Sequence, residues 1–160
     1  LLRPVNKTLA LLAAFYRLVF VAIQGINELN HFAALFFLGG AGYLSAFGPD
    51  QLHALGLLSL KAHGYGYDIC LVFFGAHCLV LGYLLFVSSY FPRILGVLLM
   101  IAALCYLTNS FASFLYPAFA ATLFPGILVP AFIAETSLCL WLIVKGVNVE
   151  QWKLAGSIHS

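Results

Sequence analysis

Between Ile69 and Val87 the only strongly polar side chain is His77. A run of that length matches the ~20 residues a helix needs to cross a hydrocarbon core of ~30 Å. A surface helix of a water-soluble domain keeps one wet face, and this segment has none. Within it Gly75 and Gly82 lie seven residues apart, and Asp68 stands seven before Gly75. That spacing puts all three on one side of a helix, where small residues let a neighbouring backbone approach closely in lipid. His77 is nine residues from Asp68, about half a turn round, so one helix cannot bring both into the same pocket. The feature predicts a polytopic membrane protein.

Composition agrees. Only 8% of the 160 residues are charged, against about a quarter in soluble domains. A net charge of +2 with no basic patch gives nucleic acid nothing to bind. Cys70, Cys78, Cys105 and Cys139 all fall in apolar runs with neither zinc-ribbon nor CxxC spacing, and read as small buried hydrophobes.

Read in order, the chain predicts an all-α bundle of about four transmembrane helices in a single domain, residues 1–154, followed by a tail at 155–160. Leu1-Leu2-Arg3-Pro4 reads as the end of an earlier span and a short loop. The first span covers about 9–38, and at 1.5 Å per residue it outruns the hydrocarbon, so it either tilts and protrudes or breaks near Gly25. Arg17, Gln24, Glu28 and His31 form a polar stripe on it, which needs the bundle interior or a wet cavity. A short interfacial helix is expected over about 50–60, with Asp50 as its cap. Spans follow at about 64–90, 94–115 and 127–144. The third has its own small-residue stripe, Gly96, Ala103 and Ser110, and Tyr106, Asn109 and Ser113 supply hydrogen-bonding groups. Arg3, Lys7, Arg93, Lys145 and Lys153 fall on one side of this topology and Lys61 on the other. The positive-inside rule therefore puts both ends in the cytoplasm.

Glu135 sits near the middle of the last span, where a carboxylate costs at least a few kcal/mol unless paired, protonated or hydrated. His77 and Arg17 lie at comparable depth on other helices. The three are expected to form one buried polar cluster, acting either in packing or as a ligand or proton site. Asn27, Glu28, His31, His53, His63 and Asp68 gather nearer the outer face. Among them Glu28, His31 and His63 suit a three-ligand metal site with water in the fourth position. A porphyrin on His77 is a further candidate, and no cofactor follows from the pattern itself. No GxSxG, P-loop, Rossmann or HExxH motif is present, so nothing points to nucleophilic catalysis.

The run LVFFGAHCLVLGYLLFVSSYFPRILGVLL, with LRPVNKTLALLAAFYRLV before it and ETSLCLWLIVKGVNVEQW after it, resembles a family of small bacterial integral membrane proteins, domain of unknown function 4386. The likeness spans Leu2 to Trp152. It implies a multi-pass protein of the bacterial inner membrane in a family with about six spans, and hence two further helices upstream. It carries no activity, cofactor or binding residue. Together these readings favour a non-enzymatic bundle that binds a lipid-like or small amphipathic ligand, or serves as accessory subunit of a membrane complex, with the bilayer and other membrane subunits or copies of itself as partners. The alternatives are a membrane enzyme or proton-coupled carrier using Glu135 and His77, and a pigment- or metal-binding protein.

Overall fold

A computed structural model describes residues 1–157. Among these there are six α-helices and no strand: α1 (Lys7–Leu38), α2 (Pro49–Val87), α3 (Arg93–Leu115), α4 (Pro117–Leu123), α5 (Val129–Val144) and α6 (Val149–Ser157). Short 3₁₀ turns, Gly42–Ala46 and Gly126–Leu128, precede α2 and α5. Four helical stretches are long and apolar enough to cross a membrane: α1, α2, α3 and Gly126–Val144.

Local chemistry sets the ends. Asn6 caps α1 by accepting the Leu9 amide at 2.9 Å. Gly40, with φ +68°, then turns the chain in a region that side-chain-bearing residues avoid. Gly146 does the same after α5 at φ +64°, and the Trp141 indole donates to its carbonyl at 3.1 Å. Pro49 occupies the first turn of α2, where its missing N–H costs nothing, and Gln51 Oε1 accepts the Gly48 amide at 2.9 Å. Gln51 thus does the capping expected of Asp50.

Of the two alternatives for α1, the break near Gly25 is absent, and the helix runs whole from Lys7 to Leu38. The interfacial helix expected at 50–60 is not a separate element but the first turns of α2, whose 39 residues run on through Lys61 and His63 into the span. Leu, Ser, Lys and Ala at 58–62 are all compatible with helix, so the polar residues mark where the helix leaves lipid and not where it ends. The 39 residues give α2 a length of about 58 Å, nearly twice the hydrocarbon thickness. Downstream, the stretch read as a linker before Pro125 holds the short helix α4. Of the expected tail, 155–157 continue α6, and 158–160 lie outside the described residues.

α2 and α3 form the central pair, with α1 packed on α2 and α5 on α3. The two small-residue stripes meet there. A Cβ on Gly96 would sit 2.6 Å from the Gly82 carbonyl oxygen, and one on Gly75 would sit 3.3 Å from that of Ala103. Each backbone therefore occupies the space the other's side chains leave free. Around this seam lie Leu71, Phe74, Cys78, Leu85, Leu99 and Ala102, all buried. Tyr90, in the α2–α3 turn, and Trp152, on α6, both donate to the Leu1 carbonyl, at 3.1 and 2.9 Å.

Candidate functional site

The polar side chains separate into three groups along the bundle. The first lies at mid-depth. Arg17 is ten residues into α1 and His77 ten from the end of α2, so each is about 15 Å from the basic end of the bundle. No hydrogen bond or ion pair joins Arg17, His77 and Glu135 directly, contrary to the single cluster expected. An aromatic chain runs among them instead. The Arg17 guanidinium lies 4.9 Å from the Phe74 ring centroid and 5.2 Å from that of Phe20. Phe74 stacks on His77 at 5.8 Å and meets Tyr106 at 5.2 Å. The Tyr106 hydroxyl, on α3, donates to Glu135 on α5. His77 Nδ1 lies 2.8 Å from the Ala13 carbonyl on α1, which only accepts, so that nitrogen carries the proton. Each ionisable group is thus matched locally: the cation by ring faces, the imidazole by a carbonyl, the carboxyl by a phenol. The arrangement ties α1, α2, α3 and α5 together.

The second group is a cleft beside Asp68. Continuing the α2 stripe one heptad beyond Gly75 places Asp68 against the α3 stripe at Ser110. Its carboxylate accepts from Asn109 Nδ2 at 3.2 Å and from Ser113 Oγ. Asn109 and Ser110 are buried, and the Ser110 hydroxyl has no hydrogen-bond partner among the described residues. Asp68, Asn109 and Ser113 line a cleft of about 460 Å³ together with Tyr67, Ala120, Phe124 and Leu128. Asp68 is nineteen residues from the end of α2, about 28 Å up, so the cleft opens at the far edge of the hydrocarbon layer. Asp68 therefore stands apart from the outer histidines with which its depth groups it. The heptad phase shared with Gly75 and Gly82 was the signal that it faces α3, while His77, half a turn away, faces α1.

The third group stands at a similar height on the α1–α2 side. Asn27 is buried, donates to the His63 carbonyl at 3.0 Å, and fits where a Cβ on Gly66 would come within 2.1 Å of its Oδ1. His63 Nδ1 lies 3.3 Å from the Asn27 carbonyl, and the His31 and His63 rings stack at 3.6 Å. His31 Nδ1 lies 3.0 Å from Glu28 Oε2. Of the residues expected near this face, Asn27, Glu28, His31 and His63 come together. His53 instead lines a cleft at the tip of the α1–α2 hairpin.

Four apolar spans, the central two packed along a small-residue seam, define a multi-pass helical membrane protein. The family model "Domain of unknown function (DUF4386)" matches residues 1–146, so the chain belongs to that family. An "Uncharacterized protein" of Archaeoglobus fulgidus is 26% identical over 153 residues, covering 94% of this chain and 74% of the relative. The likeness to an archaeal protein means that the match does not mark the chain as bacterial. No solved structure matches.

Proposed function

We propose that the protein is a non-enzymatic membrane bundle that binds a single amphiphile in the Asp68 cleft, with the ligand's hydrogen-bond-donating or cationic head on the carboxylate. The observation that carries this reading is a cleft of about 460 Å³, within the usual ligand-site range, with apolar walls and one carboxylate at its floor. Its height supports an amphiphile in particular. A head group held at the edge of the hydrocarbon leaves its chain free to lie along α3 and α4 in lipid. Asn109 and Ser113 each give one hydrogen bond to Asp68, which leaves the carboxylate with accepting capacity for a third donor. The mid-depth Tyr106–Glu135 contact, by contrast, joins two helices and is assigned to packing. The basic residues Arg3, Lys7, Arg93, Lys145 and Lys153 support placing both ends on the cytoplasmic side.

Native mass spectrometry of protein extracted gently from its own membrane tests the proposal. The wild type is expected to carry one small-molecule adduct. Asp68→Asn, which removes the charge, and Ala120→Trp, which fills the cleft, should each deplete it. A wild type without adduct, or both variants loaded like wild type, overturns the reading.

A further inference from the structure

A second site stands apart from the Asp68 cleft and uses none of its residues. From the geometry at the α1–α2 crossing we infer that Glu28, His31 and His63 bind one divalent transition-metal ion of the zinc class, leaving a coordination position open to water. One ligand atom from each of the three lies within 4.8 Å of the other two. Around a tetrahedral zinc with bonds of about 2.0–2.1 Å the donors stand about 3.3 Å apart, so the set must draw in by up to about 1.5 Å, with the stacked His31 and His63 rings turning out of parallel.

The hydrogen bonds around the group select the right atoms. The Asn27 carbonyl can only accept, so its contact with His63 Nδ1 places the proton on that nitrogen and leaves the Nε2 lone pair free in the neutral ring. The Glu28 Oε2 contact with His31 Nδ1 at 3.0 Å is one that ion binding would replace, the carboxylate turning to the metal and the ring presenting its free nitrogen. An imidazole donating one N–H to a carbonyl or carboxylate while offering its other nitrogen is the usual outer support of a histidine metal ligand. Gln24 Nε2 donates to Glu28 Oε1 at 2.5 Å, orienting the carboxylate, and Gln24 Oε1 is buried with no partner among the described residues, an acceptor suited to a metal-bound water.

The backbone beneath is fixed before any ion arrives. Asn27 bridges to His63 through both its side chain and its carbonyl, and Gly66 admits it only because no Cβ is there. Two imidazoles and one carboxylate make a borderline donor set, which favours zinc and its neighbours over magnesium or calcium. Access is from water. Glu28 and His31 lie about 32 and 36 Å from Lys7 by helix rise, at or beyond the hydrocarbon edge, and their side chains are 43% and 48% exposed.

The test is zinc content of the purified, chelator-stripped and zinc-reloaded protein, with the visible spectrum of the cobalt-substituted form. One zinc per chain and a tetrahedral cobalt spectrum are expected in the wild type and in His53→Ala, which lies outside the group. His31→Ala and His31→Gln, at an exposed position without interhelical hydrogen bonds, should weaken zinc at least about tenfold and abolish the thermal shift that zinc produces. A wild type that retains no zinc, or His31 variants that bind it as tightly as wild type, would overturn the assignment.

Discussion

Gly96→Ala is a direct test of the seam between α2 and α3. The added methyl carbon would sit 2.6 Å from the Gly82 carbonyl oxygen and equally close to the Phe86 amide nitrogen, where ordinary contacts begin at 3.4 Å. Both obstacles are backbone, so no rotamer change relieves them, and the helices must part by about 0.8 Å. Overpacking of this kind costs typically ~1–3 kcal/mol. A gap of that size also forfeits roughly a quarter to a half of each dispersion contact along the seam. Replacing a helical glycine by alanine returns about 1 kcal/mol of backbone propensity, which leaves a net loss of up to about 2 kcal/mol from these two contributions, with the lost dispersion added to it. Gly25→Ala is the matched control. Its Cβ meets nothing within 4 Å, so only the propensity acts and the variant should be as stable as wild type or up to ~1 kcal/mol more stable. Reversible unfolding in mixed micelles, followed by circular dichroism under identical detergent conditions, measures both. Opposite signs are expected. A Gly96→Ala protein no less stable than wild type, or equal losses in both variants, would refute close backbone packing as the organising contact.

Two further predictions concern the polar groups. Asn27→Ala removes the side-chain bond to the His63 carbonyl and should cost about 1–3 kcal/mol in the same unfolding assay, with Gly66→Ala producing a comparable loss by displacing Asn27; neutrality of both would mean that α1 is held by apolar contact alone. Tyr106→Phe leaves the Glu135 carboxyl without its donor at mid-depth and should lose about 1.5–3 kcal/mol, whereas Glu135→Gln keeps an acceptor for the phenol and should lose less; the reverse order would disprove the assignment of this pair to packing.

How far the fold was legible depended on the kind of information each feature needs. The spans follow from hydropathy because lipid imposes one strong requirement on every residue of a segment. The stripes at Gly75 and Gly82, and at Gly96 and Ala103, were visible as heptads, since a helix converts spacing into a face. Their meeting across one seam required the relation between two helices, which neither carries by itself. The same limit concealed Asp68's partners: Asn109 and Ser113 were recognised as hydrogen-bonding groups of α3, yet nothing local ties them to a carboxylate some forty residues earlier. Glu28, His31 and His63 could be proposed as a set because two share a helix turn and α1 and α2 are consecutive, so their approach needs only an antiparallel hairpin. The mid-depth residues failed to form one cluster because Phe74 and Tyr106, read only as apolar bulk and a hydroxyl, stand between them. The boundary of α2 was missed for a different reason: change of solvent and end of helix coincide often but are separate events.

The phase shared by the two stripes has a consequence for how the helices find one another. Layers of glycine and alanine repeated every seven residues are nearly self-similar, so a slip of one heptad would still let two layers interlock. Such a slip would carry Asp68 either down to the level of Ala103, among apolar neighbours, or up to Pro117, past the end of α3. Only one alignment gives the carboxylate its amide and hydroxyl, and so a single charged residue near the membrane edge serves as the index mark that turns a repetitive contact into a unique one.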